Sequence, residues 1–254
     1  MSVLVDQHSA VLTVTLNRPD RHNTLDGAAM GALGRVFTEA EFDDGVAAIV
    51  LTAAGEKSFC AGMDLRAFAE RGTTPRQQDG PGLDVLLSRD YPKPVVAAVN
   101  GRALGVGFEL VLASDLVVAA DHATFALPEV RRGLVAAGGG ITRLPTRIPM
   151  AIALEMGLTG ASIDAARAFE LGLVNRITPG PAAISEAERL AAAVAANAPL
   201  AVRFTKKYMR RSGAADTLHS DIDRTELENL LTSEDAHEGA TAFAERRPPV
   251  WSGR

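Results

Sequence analysis

Residues 94–120 read PVVAAVNGRALGVGFELVLASDLVVAA. Pro94 to Asn100 is an apolar, partly β-branched run of the length of a buried strand, GRALGVGFELVLA turns into a helix, and Leu116 to Ala120 is a strand again. Strand, glycine turn, helix and strand in that order indicate an α/β architecture in which helices cover sheets. The same order extends upstream. Val11 to Leu16 alternates at period two and runs into the turn-prone NRPDRHN, and Asp26 is placed to cap a helix reaching about Phe42. Val46 to Thr52 is a further buried strand, and the loop AAGEKSFCAGMD leads to a short helix after Asp64. Downstream, LVVAADHATFALPE reads as a strand pair. From Pro149 to Phe243 the chain is rich in Ala, Leu and Glu, so this part is essentially helical, with one brief strand near Val174 to Ile177. We place a soft division near residue 190, with an α/β core over 1–190 and a helical region over 191–254. The segment 71–82, RGTTPRQQDGPG, is expected to be mobile and suited to a lid.

The chain has 254 residues, with 26 Lys and Arg against 31 Asp and Glu. A net charge of −5 argues against nucleic acid or an anionic membrane as partner, since neutralising phosphates needs a basic face. One cysteine, Cys60, excludes an intrachain disulfide and a Cys-rich zinc site, and suggests an intracellular protein with no metal. The longest run without a charged residue, Leu190 to Val202, is too short to span a bilayer and contains Asn197 and Pro199. The N-terminus lacks the basic and apolar regions of a signal peptide, so a cytoplasmic location is expected.

Two stretches share one construction: a buried strand, a glycine turn and a helix start. They are SFCAGMDL (58–65) and NGRALGVGFEL (100–110). Helix N-termini expose unpaired N–H groups, so two of them facing one point would make an oxyanion site; turn formation and tight packing are the plainer use of the same glycines. Glu109 stands among Phe108 and Leu110, and charged residues are rarely buried without a partner or a task. Glu129 follows Pro128 and precedes Arg131 and Arg132; it could simply serve a helix N-terminus. Near an oxyanion site, two such carboxylates would form an acid–base pair. GVGFEL is only the beginning of a dinucleotide fingerprint, and GxxxxGK[ST], GxSxG and HExxH are all missing from the sequence. Cys60, next to Phe59, reads as a packed residue.

Taken together, FCAGMDL, VNGRALGVGFEL, FALPEVRRGL, the triple Gly138 to Gly140 and the C-terminal SEDAHEGATAFAERRPPVW resemble the crotonase, or enoyl-CoA hydratase/isomerase, superfamily over nearly the whole chain. Pro128-Glu129, the SEDxxEG block and the AFAERRPPVWSGR ending are similar to crotonobetainyl-CoA (carnitinyl-CoA) hydratases within it.

The resemblance implies a spiral of ββα units forming two roughly perpendicular sheets, a C-terminal helical trimerisation region, and a homotrimer or dimer of trimers. It implies an acyl-CoA thioester as substrate, with coenzyme A part of that substrate and no separate cofactor. The thioester oxygen would be held by the backbone N–H groups of Met63 and Val106, flanked by Ala61, Asp64, Leu65 and Gly105. Val106 departs from the three successive glycines of many hydratases, which leaves a backbone donor intact. Glu109 and Glu129 would be the catalytic carboxylates, Glu109 serving the attacking water and Glu129 the α-carbon proton. Arg21, His22, Thr24, Lys57, Arg66, Phe243 and Arg246 fall where relatives hold the nucleotide, the last two sometimes in a neighbouring subunit. The stretch 67–90 would border the acyl pocket. Reversible hydration of a 2-enoyl-CoA is therefore the leading expectation. Carnitinyl-CoA dehydration, another crotonase reaction such as isomerisation, and a non-catalytic acyl-CoA-binding subunit are the alternatives, since fold does not fix reaction. A guanidinium of Arg131 or Arg132 paired with Glu129 would lower its pKa and make it a poorer proton donor.

Overall fold

The computed structural model describes residues 1–65, 82–88, 90–211 and 224–254. Ten strands form two sheets. The larger has the order β1 (Val3–His8), β2 (Val11–Leu16), β3 (Ala48–Ala53), β5 (Val95–Val99), β7 (Leu116–Ala120) and β10 (Arg176–Thr178). It is parallel except for the β1–β2 hairpin. The smaller has the order β4 (Ser58–Cys60), β6 (Arg102–Leu104), β8 (Thr124–Ala126) and β9 (Ser162–Asp164), with β9 antiparallel. The chain alternates between them: β3 is followed by β4, β5 by β6, and β7 by β8, with helical segments between successive pairs. This is the expected ββα spiral.

The fully apolar runs become the centre of the larger sheet, where every residue of β3 and β5 is buried. Helix α1 (Gly27–Phe42) starts at Asp26, whose side chain accepts from the Ala29 N–H as a cap. It buries Leu33 and Phe37. Next come α2 (Asp84–Leu87) and α3 (Val106–Ala113), the latter buried along almost its whole length. Helices α4 (Gly140–Arg147), α5 (Met150–Thr159) and α6 (Ala165–Glu170) follow. Helix α7 (Ala183–Ala195) lies on β2, β3, β5 and β7 through Ala183, Ala187 and Ala191, small residues that allow close approach to the sheet; residue 190 lies within it. Helices α8 (Pro199–Arg211), α9 (Arg224–Leu231) and α10 (Glu234–Glu245) end the chain. The Trp251 indole donates to the Ala196 carbonyl at 2.9 Å, tying the C-terminus to the end of α7.

Three strands were not legible as separate elements. β4 lies inside the expected AAGEKSFCAGMD loop, β6 precedes the helix start in GRALGVGFELVLA, and β9 interrupts the region read as helical. Each has three residues, too few to show a period.

Candidate active site

The three-residue strands position the site. β4, β6 and β8 are neighbours and run parallel, so their C-terminal ends deliver three loops to one place. Met63 comes three residues after β4, Val106 two residues after β6 and Glu129 three residues after β8. Ligands in parallel sheets are met at this end of the strands.

The first loop is fixed by the segment before α1. Leu25 donates its N–H to Gly62 O and accepts from Asp64 N–H, both at 2.9 Å, and Ala61 N–H donates to His22 O at 3.0 Å. These bonds use the groups on either side of Met63, and its own N–H faces away from Leu25. In the second loop Gly105 has φ +55°, and Val106 opens α3, where the first N–H groups lack intrahelical partners. Among the described residues neither the Met63 nor the Val106 N–H donates a hydrogen bond. The loops touch: a Cβ built on Gly105 would lie 3.8 Å from Gly62 Cα and 2.7 Å from Glu129 Oε1. A side chain at 105 would therefore displace the Glu129 carboxylate. Gly107 has a different role, since a Cβ there would fall 2.1 Å from Cys60 O; it lets α3 pack on β4. The Cys60 thiol is fully buried, and burial pushes its pKa up to about 12, so it is a packed neutral group.

Glu109 is 1% exposed on α3. Its Oε1 accepts from Gly140 N–H at 2.9 Å, and a Cβ on Gly138 would lie 2.6 Å from its Oε2. The glycine triple thus forms a cradle that only glycine leaves open. Burial pushes the Glu109 carboxyl above the ordinary carboxylate range; the Gly140 N–H opposes this, Glu129 adds to it, and Gly138 and Arg143 oppose it further. Glu129 sits half-buried in the 3₁₀ turn Pro128–Arg132, with Oε2 buried and unbonded. Burial raises its pKa as well, against smaller pulls from its own backbone N–H and from Arg132. Neither following arginine pairs with it: Arg131 Nε donates to Thr159 O at 2.7 Å and Arg132 Nη1 to Pro128 O at 3.5 Å.

Around the first loop, Arg18 pairs with Asp26 at 2.9 Å and with Asp64 at 3.6 Å, and Arg21 reaches Asp64 at 3.8 Å. Asp64 therefore holds the 18–26 segment. His22 and Asn23 have left-handed backbone, Thr24 Oγ1 donates to Arg21 O, and buried Asn23 donates to Ala54 O and Ser58 O. Arg21, His22, Thr24, Ala61, Met63, Asp64, Leu65, Gly105, Val106, Glu109 and Glu129 consequently lie on connected segments. Lys57 is exposed at the start of β4. Phe243 is 87% exposed on α10 and Arg246 is the left-handed cap of that helix; neither makes a hydrogen bond or ion pair to these loops among the described residues. Arg66 and the expected lid at 71–82, apart from Gly82, lie outside the described residues. Three residues with supporting roles carried no sequence signal of their own: Arg18, Asn23 and Arg143. Each acts through main-chain carbonyls or a distant carboxylate.

Comparison with known proteins bears on the family and the fold. Residues 6–254 match the family model described as enoyl-CoA hydratase/isomerase. A carnitinyl-CoA dehydratase of Citrobacter koseri is 42% identical, with 98% of this chain and 97% of that protein covered. A crystal structure of an enoyl-CoA hydratase from Mycobacterium tuberculosis H37Rv superimposes with a TM-score of 0.92 at 45% identity, covering 100% of this chain and 99% of that one. A carnitinyl-CoA hydratase from Mycobacterium avium gives 0.77 at 40% identity, with 100% and 99% covered. The chain belongs to the enoyl-CoA hydratase/isomerase, or crotonase, family.

Proposed function

We propose that the protein is an enoyl-CoA hydratase, a hydro-lyase that reversibly adds water to the double bond of a 2-enoyl-CoA. The observation that carries this is the unequal environment of two carboxylates beside two unpartnered N–H groups. Water attacking the β-carbon drives negative charge onto the thioester oxygen, and Met63 N–H and Val106 N–H are the donors for it. Preorganised donors of this kind are worth about 3 kcal/mol each, as judged from removing one elsewhere. The attacking water must lose a proton and the α-carbon must gain one. Glu109, cradled by backbone N–H groups and facing Arg143, is the carboxylate better supported when ionised and takes the water proton. Glu129, with one buried oxygen that has no hydrogen-bond partner, is assigned to supply the α-carbon proton. The roles exchange on dehydration.

No group beyond the coenzyme A of the substrate is needed for these steps. Arg21, His22, Thr24 and Lys57 lie on or beside the first loop and are assigned to the nucleotide. Phe243 and Arg246, exposed and away from the chain's own loops, are assigned to a neighbouring subunit's site in a homotrimer or dimer of trimers. Gel filtration with light scattering tests this, and a monomer would remove the assembly. Among the described residues no helix is long and apolar enough to cross a membrane. A cytoplasmic location and the lack of nucleic-acid partners are proposed from the single cysteine and the net charge of −5.

A second substrate is favoured by the relatives named carnitinyl-CoA dehydratase or hydratase: a crotonobetainyl-CoA. The test follows crotonyl-CoA by loss of enoyl-thioester absorbance and crotonobetainyl-CoA by mass spectrometry, with the same preparation. Rapid consumption of crotonyl-CoA is expected. Turnover of the betaine alone would move the assignment to the carnitine branch, and binding without turnover of either would remove the hydratase.

A further inference from the structure

The glycine triple that cradles Glu109 has a second face, and Arg143 covers it. From α4, Arg143 Nη1 donates to Gly138 O at 3.1 Å and Nη2 to Leu87 O at 2.8 Å. A Cβ on Gly139 would lie 1.8 Å from Nη1, so the guanidinium lies directly against the triple. Its backbone N–H donates at 2.8 Å to Gly139 O, the carbonyl of the same peptide whose N–H is bonded to Glu109. Gly139 itself has φ +105°, which glycine adopts readily and an L side chain does not.

On the assignment of Glu109 as base for water, we propose that Arg143 is a positioning residue. It clamps the Gly138–Gly140 cradle to the end of α2 and so sets the place and the charge state of the Glu109 carboxylate. A lysine would have to reach both carbonyls from one nitrogen, whereas the arginine holds each with a separate nitrogen of a rigid planar fork. The charged groups facing Glu109 are Glu129 from the 3₁₀ turn and Arg143 from α4. Those facing Arg143 are Arg210 from α8, Asp90 before β5, and Glu109. Glu109 must be ionised to accept the water proton, and Arg143 favours that form. Removing the guanidinium therefore moves the acidic limb of the hydration profile to higher pH.

The experiment compares Arg143→Met and Arg143→Lys with wild type, with Glu109→Gln as control, measuring kcat, KM and the pH profile of crotonyl-CoA hydration. Arg143→Met is expected to lower kcat by roughly 10- to 100-fold with little change in KM, as a displaced catalytic group does, and to shift the acidic limb upward. Arg143→Lys keeps the charge and loses the fork, so its kcat falls while the limb stays near that of wild type. Wild-type kcat in either folded variant, or a loss of kcat in Arg143→Met without movement of the limb, overturns the proposal. If Arg143→Met does not fold, the lysine variant decides by the same kcat criterion. Normal turnover in Glu109→Gln would instead remove Glu109 as base, a failure of the functional assignment that is read separately from Arg143.

Discussion

The two carboxylates of the site occupy opposite kinds of surroundings. Glu109 is carried by a buried α-helix and meets a built cradle: a glycine triple in front and an arginine behind it. Glu129 is carried by a short 3₁₀ turn, rests over Gly105, and leaves one buried oxygen with no hydrogen-bond partner. Burial raises both pKa values, yet Glu109 accepts from glycine N–H groups of a separate loop while Glu129 has only its own backbone N–H. The difference teaches how one fold gives two chemically identical groups separate surroundings, which is the basis on which separate roles are proposed for them.

The largest test of that asymmetry is removal of each group. Glu109→Gln and Glu129→Gln should each lower kcat by about 10²- to 10⁴-fold, with acyl-CoA affinity largely retained in calorimetry. Near-normal turnover in both would sink the two-carboxylate mechanism. The glycines offer a finer cut, because they displace one carboxylate at a time. Gly105→Ala puts a methyl 2.7 Å from Glu129 Oε1 at positive φ, and Gly138→Ala puts one 2.6 Å from Glu109 Oε2. Misplacing a reacting group by about 1 Å can cost roughly 100-fold, so steady-state kinetics should show losses of that order in both. Only Gly138→Ala should also move the acidic limb assigned to Glu109.

The pH profile sharpens the pair further. The proposed mechanism uses Glu109 ionised and Glu129 protonated, and burial raises both carboxyls above the ordinary carboxylate range. In Glu129→Gln the acidic limb of the residual activity should stay in place, because a protonated Glu129 exerts no repulsion on Glu109; a limb that moves down would mean that Glu129 ionises first and would reverse the roles. The smallest effect is on stability. A folded-state pKa raised above the unfolded value favours the folded protein below the unfolded pKa, and that advantage is lost as pH rises through the folded pKa. At neutral pH the buried charge of Glu109 is therefore a cost, and Glu109→Gln should raise Tm by about 2 °C in a calorimetric scan. An unchanged or lower Tm would mean the cradle already offsets the burial.

The sequence makes the two sheets legible to different degrees. β3, β5 and β7 appear as continuous apolar runs because they are buried on both faces, and α1 announces itself through Asp26. β4 and β6 have three residues each, so they read as loop or as the prelude to a helix. Yet they bear the site, and only the glycine turns after them and the isolated Glu109 marked the place. Family resemblance, carried by FCAGMDL and GVGFEL, pointed to Met63 and Val106 as the proposed donors, which no periodicity could show. Arg143 remained hidden for a physical reason: its partners are the carbonyls of Gly138 and Leu87, and a main-chain carbonyl leaves no trace in a sequence.

The contact between Gly107 and Cys60 has one more consequence. Cys60 is the sole thiol of the chain, it is fully buried, and burial pushes its pKa up to about 12. No reagent reaches a thiolate there while β4 stays against α3. Alkylation of this sulfur is thus a clock for the parting of the two segments that carry Met63 and Val106, and a bound acyl-CoA spanning both should slow it.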